Sequence, residues 1–174
     1  MHILIATDGA IEVSKAANFA AALAGSDGRV TVLTVVEIPR TFINDMRTQW
    51  GAGESASVVA DYTFVETPAV SHEAPRGWPG DDTLIDRYLS DKLRQNTAPL
   101  VGALRERGIE AEGRVAESEH VAETIIEQLV ALDAEVVVIG SHGQGLFQGL
   151  LGSIGTKIVR RSPRPVLLIR SATP

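Results

Sequence analysis

The chain contains no cysteine, which excludes disulfide bonds and thiol chemistry of any kind. It also lacks an excess of positive charge. Acidic residues outnumber Lys and Arg by 22 to 16, the formal net charge is -6 and the pI is about 5.2. Nothing here favours broad attraction to nucleic acid or to an anionic membrane, and a small anionic ligand would have to be held locally. Neither end shows a charged segment leading into a long apolar run, so a soluble, cytoplasmic protein is the expectation. What remains is 174 residues, a length that suits one domain with a sizeable hydrophobic core.

Short apolar runs alternate with longer helical patterns, as in parallel α/β units. The first run, Ile3-Leu4-Ile5, lies in a strand read from Met1 to Asp8. The second is Val30 to Val36, the fourth Val136 to Ile139 and the fifth Val166 to Ile169. Runs apolar throughout suit strands covered on both faces. The third run, Glu110 to Val115, is polar and contains Gly113, which suits an edge. An open sheet in the order 3-2-1-4-5 places it there.

Between the strands, Ala16, Ala17, Ala20, Ala21 and Ala24 allow a first helix to pack closely, and Gly25 is a natural stop. A second helix is expected to begin near Asp82 or Thr83 and to turn Ile85, Leu89 and Leu93 inward, with a kink or restart near Thr97 because Pro99 removes a backbone donor. Val121, Ile125, Leu129 and Leu132 repeat at helical spacing in the next helix. Residues 38–81 are rich in Gly, Pro, Ser and Thr, show no sustained period, and are too long for an ordinary connection. They read as an insertion, with a weak strand or hairpin pattern at Ser57 to Val65 and with Trp50 and Trp78 inside it. A lid, a docking loop and a segment without a dedicated role are all compatible with this composition.

The chemistry concentrates after the fourth run, where Gly140-Ser141-His142-Gly143 is followed by Gly152-Ser153. A strand ending in closely spaced glycines and leading into a helix exposes several backbone N–H groups at one point, an arrangement that holds phosphate. In an open parallel sheet the ligand sits beyond the carboxyl ends of the strands, where their order reverses. Strands one and four meet there, so Thr7 and Asp8 face the loop that starts at Gly140, with Val35 beside them. Other phosphate motifs fail on this stretch. Gly155-Thr156-Lys157 is in the wrong order for a P-loop, and the glycines lie too late in the chain and at the wrong spacing for a dinucleotide fingerprint.

Together, the ending Ala6-Thr7-Asp8-Gly9, the glycine loop and the closing run Arg164-Pro165-Val166-Leu167-Leu168-Ile169 resemble the universal stress protein family. The resemblance covers about residues 1–36 and 82–170. The chain has eight residues between Gly143 and Gly152, one fewer than the nucleotide-binding branch of that family. The resemblance implies a single flavodoxin-like (Rossmann-like) α/β domain over residues 1–174, with helices on both faces of the sheet. It implies that Ala6, Thr7, Asp8 and Val35 line an adenine and ribose pocket while Gly140, Ser141, His142, Gly143, Gly152 and Ser153 hold phosphates. The implied ligand is ATP, AMP or another adenine nucleotide, with Asp8 the candidate for a magnesium contact, and the implied role is that of a stress-response sensor or regulator with an unknown protein partner.

Each residue also has a plainer reading. Asp8 can shape a turn through its own hydrogen bond, Ser153 can cap the last helix, His142 can be a solvated loop residue, Val35 can be core, and the glycines can form turns only. Lys157, Arg160 and Arg161 suit the carboxyl end of the last helix. Hydrolysis would need a positioned water, a base and groups selective for the transition state, and no such constellation is legible. A non-binding dimeric scaffold and a weak ATP hydrolase therefore stand as alternatives to a nucleotide-binding regulator. The fifth strand is expected to be an edge whose residues Val166, Leu167, Leu168 and Ile169 present an apolar face, and such an edge is usually paired or covered. A homodimer through that strand follows, as it does from the resemblance.

Overall fold

A computed structural model describes residues 1–25, 27–38, 41, 45–46, 79–141 and 152–170. The elements are β1 (His2–Ala6), α1 (Val13–Ala24), β2 (Arg29–Val36), α2 (Asp81–Arg105), β3 (Glu110–Glu117), α3 (Val121–Ala131), β4 (Val136–Ser141), α4 (Ser153–Arg161) and β5 (Val166–Arg170). Five strands form one parallel sheet in the order β3-β2-β1-β4-β5, as expected. The chain divides into two compact units, Met1–Glu37 with Tyr88–Pro174 and Ile38–Arg87. The sheet lies in the first. In the second, Gly80 accepts from the Leu84 amide at 3.3 Å, and Asp81 and Asp82 occupy the first turn of α2, where negative charge suits the helix dipole.

All five residues of β1 are buried, because the strand is sandwiched along both edges and both faces. Ile3 lies between Val30 and Val136, and Ala6 between Leu33 and Ile139. Alternation sends Ile3 and Ile5 to one face. There they join Val32, Val138, the α1 residues Ala16, Ala17 and Ala20, and the α2 residues Leu100 and Leu104. Leu4 and Ala6 point the other way, to Leu33, Val137, Ile125 and Leu129 of α3, and Ile158 of α4. Small alanines let α1 approach closely, and Gly25 ends it at φ 70°, donating its amide to the Ala21 carbonyl at 3.3 Å.

Helix α2 corrects the sequence reading. It begins at Asp81, next to the expected Asp82 or Thr83, but runs through Pro99 to Arg105 as one helix, so the restart expected near Thr97 does not occur. Its buried residues are Leu84, Thr97, Leu100, Val101 and Leu104, whereas Ile85, Leu89 and Leu93 are half-buried. The proline costs about 3 kcal/mol in a helix interior, but full burial of Leu100 and Leu104 just after it contributes roughly 1.5–3 kcal/mol each. The Thr97 hydroxyl also donates to the Leu93 carbonyl at 2.6 Å, holding the preceding turn. Thr97 in turn explains Gly113 on β3: a Cβ at position 113 would collide with the Thr97 hydroxyl and press on Leu93.

The two edges of the sheet are finished differently. On β3, the Arg105 guanidinium donates through Nε and Nη2 to the Ala111 carbonyl at 3.0 and 2.7 Å. At the other edge the β5 residues alternate instead of presenting one apolar face. Leu167 packs and Ile169 is buried in the core beneath α1, Val166 packs toward α3 and α4, and Leu168 is 43% exposed.

At the amino end of the sheet the buried His2 ties three elements together. Its Nδ1 lies 3.0 Å from the Leu132 carbonyl, which can only accept, so Nδ1 bears a proton, and Nε2 pairs at 2.9 Å with the Thr31 hydroxyl, which itself donates to the Glu112 carboxylate at 3.3 Å. Burial pushes its pKa below the ordinary 6.5, with the Leu132 carbonyl opposing that shift.

The unfolded chain therefore binds more protons than the folded one in the window just below pH 6.5, so the contribution of His2 to stability falls as pH is lowered through it. In urea unfolding followed across that window, His2→Gln should lose this part of the pH dependence while the carboxylate part remains. Gly113→Ala should cost about 1–3 kcal/mol by overpacking, and Thr97→Ala in the same chain should restore most of it. Additive losses in the double variant would mean that the two residues do not compete for one space.

Candidate functional site

Past the end of β1 the chain turns sharply at the carboxyl edge of the sheet. The Thr7 amide donates to the Leu33 carbonyl at 2.9 Å, which keeps Thr7 in line with the strand, and its hydroxyl accepts from the Gly9 amide at 2.9 Å. Asp8 accepts from the Ala10 amide at 3.1 Å, so the turn-forming reading of Asp8 holds. Gly9 sits at φ 95°, a left-handed conformation that side chains disfavour.

Helix α4 starts on the far side of the same edge. Gly152 is its cap residue, in extended conformation, and its carbonyl accepts from the Thr156 amide at 2.8 Å. Ser153 is the first helical residue and no side chain caps the helix, which corrects the capping reading of Ser153. Serine caps from the position before the helix, and glycine occupies it here. The first-turn amides of Ser153, Ile154 and Gly155 have no acceptor within the helix, as at any helix amino end. Arg160 and Arg161 do lie in the last turn. The Arg161 guanidinium also meets the Glu123 carboxylate of α3 at 2.7 Å, and both groups are exposed enough that the pair is worth little in stability. Glu123 has its pKa lowered, first by its own backbone amide in the first turn of α3 and then by Lys157 and Arg161.

Between these elements lies a cleft of about 240 Å³. It gathers Ala6, Thr7 and Asp8 from β1 and its turn, Val35 from β2, Gly140 from β4, and Gly152 and Ser153 from the start of α4. Seven of the expected site residues thus meet around one space, although they come from four separate stretches of the chain. Ser141 ends β4. His142 and Gly143 lie outside the described residues, as do Trp50, Trp78 and the pattern at Ser57 to Val65.

The sequence reading missed the apolar floor and wall of the cleft. Leu33 and Ile139 line it from the sheet, Val121 and Ile125 from α3, and Ile154 and Ile158 from α4. Signals for them exist. Leu33 shares the face of Val35 by strand alternation, and each helical pair is spaced by one turn. The result is an apolar slot closed at one end by backbone amides and by the Thr7-Asp8 turn, suited to a flat apolar-faced group carrying an anionic tail.

A parallel sheet of this order, with a cleft where strand order reverses and a helix amino end opening into it, defines a flavodoxin-like α/β domain. The universal stress protein family model matches residues 1–170, and the chain belongs to that family. A universal stress protein of Thermus aquaticus is 34% identical over 82 residues, 47% of this chain and 56% of its own length. One from Mycobacterium tuberculosis is 31% identical over 143 residues, 79% of this chain and 47% of its own length. The chain thus spans about half the length of these curated relatives.

Among solved structures, a family member from Burkholderia pseudomallei aligns at TM-score 0.59 and 21% identity, over 98% of this chain and 96% of that one. A universal stress protein in complex with cAMP aligns at 0.55 and 16%, over 99% and 98%. An Arabidopsis thaliana family protein with AMP bound aligns at 0.54 and 13%, over 99% and 93%. At these identities the likeness is one of fold. Among the described residues no helix is long and apolar enough to cross a membrane.

Proposed function

We propose that this chain binds an adenine nucleotide, ATP or AMP, in the cleft between β1 and α4, and that occupancy is read by a partner as a regulatory signal in a stress response. The observation that carries the reading is the convergence of Thr7, Asp8, Val35, Gly140, Gly152 and Ser153 on one small cleft that the amino end of a helix enters. The apolar slot between Val35, Ile125 and Ile139 would take the base, the Thr7-Asp8 turn the ribose, and the amides from Gly152 onward the phosphates, with Ser141, His142 and Gly143 completing the cradle. Fold neighbours solved with AMP and with cAMP support the ligand class.

Binding, rather than turnover, is the proposed activity. A magnesium ion carried on the nucleotide's phosphates would have Asp8 as its protein oxygen. The chain is read as one domain with an insertion between β2 and α2, acting in the cytoplasm as a homodimer paired through β5. The edge position of β5 and the exposure of Leu168 support that pairing.

Isothermal titration with ATP, AMP, cAMP and adenosine tests the reading, and the absence of binding by all four would leave the dimeric scaffold in its place. Ser153→Glu sets a carboxylate where the phosphates would lie. It should stabilise α4 by about 0.3–1 kcal/mol through the helix dipole, yet weaken ATP and AMP by at least roughly tenfold, a difference of about 1.4 kcal/mol, while adenosine is unaffected. Leu168→Glu should convert the dimer to monomer in native mass spectrometry without altering the thermal midpoint of the monomer.

A further inference from the structure

The turn that carries Asp8 is supported from behind by a residue that does not line the cleft. Asn96 lies on α2, half-buried, and its Nδ2 donates to the Thr34 hydroxyl at 2.9 Å. Thr34 is fully buried on β2, so the amide of Asn96 is held in one orientation by an anchor that water cannot replace. The other end of that amide faces Gly9. A Cβ built at position 9 would stand 2.9 Å from Asn96 Oδ1 and 3.4 Å from Cγ. The amide thus fills the space that a side chain at position 9 would need.

Gly9 is the pivot of the turn. Its own amide binds the Thr7 hydroxyl, the next amide binds Asp8 Oδ1, and its φ of 95° sets the direction in which the chain leaves β1. Thr34 lies on the α1 and α2 face of the sheet, by alternation with Val30 and Val32, whereas the cleft opens on the face of α3 and α4. Support and ligand therefore reach the Thr7-Asp8-Gly9 turn from opposite sides.

We propose that Asn96 is a positioning residue for this turn: clamped to Thr34, it holds Gly9 so that Asp8 points into the cleft, and it links α2 to the ligand without touching it. As far as the ligand is concerned, the inference rests on the nucleotide reading above. A plain packing role for Asn96, joining helix to sheet, would loosen the whole unit and not the turn in particular.

The test uses the full chain and two variants, Asn96→Ala and Thr34→Val, which cut the clamp from either end; alanine suits a helix and valine a strand, so both should fold. Amide hydrogen exchange by NMR should accelerate at least roughly tenfold at Gly9 and Ala10 in each, with Leu4 and Ile5 unchanged. AMP titration should show affinity lowered by roughly tenfold in Asn96→Ala, and no further loss when that change is added to Asp8→Ala, because both act through one group. Equal acceleration in β1 and the turn, unchanged exchange at Gly9, or additive losses in the double variant would overturn the proposal. If the parent chain binds no AMP, the nucleotide reading falls, and the positioning role stands or falls on the exchange result alone.

Discussion

A strand covered on every side must find apolar partners above and below it and hydrogen-bond partners to left and right, and β1 meets all four demands over His2–Ala6. Its burial requires β2 and β4 as neighbours and requires two helical layers, one built on the alanines of α1, the other on Ile125, Leu129 and Ile158. The same requirement creates the site. Connections from β1 and β4 must leave the shared edge toward opposite faces to supply those two layers, and the gap between them is the cleft. Ligand binding at this place would thus be a by-product of covering one dry strand.

Polar residues mark the two ends of that strand. His2 closes the amino end by bonding to Leu132 and Thr31, leaving no buried ring nitrogen unsatisfied. At the carboxyl end, Thr7 continues the ladder to Leu33 while its hydroxyl already belongs to the turn. Between these points nothing polar points inward from β1. The interior residues are therefore free to be chosen for fit alone, and chemistry is confined to the ends.

The edge position of β3 was legible because composition differs between its polar run and the buried strands. Val136 to Ile139 is apolar on both faces, whereas β3 reads Glu-Ala-Glu-Gly-Arg. The backbone part of the cleft was legible too, since Gly140, Gly152 and the Thr7-Asp8 pair are local signals. Its apolar wall was not, because Leu33, Ile125 and Ile158 look the same whether they face a slot or a core. Pro99 misled for a different reason: a helix-breaking residue is judged locally, while the burial of Leu100 and Leu104 that retains the helix depends on the whole sheet. Gly113 could be understood only with Thr97, sixteen residues earlier in the chain and on another element.

The guanidinium of Arg105 on the Ala111 carbonyl bears on how many copies could ever join. Sheet-edge pairing propagates when a molecule has two receptive edges, and it stops when it has one. With the β3 border plugged by a doubly donated bond and lined with Glu110, Glu112 and Arg114, a pair made through β5 would use up both of its sticky borders and expose only sealed ones. Such an assembly would terminate itself at two subunits, its outer borders closed by the Arg105 bond and the charged residues of β3.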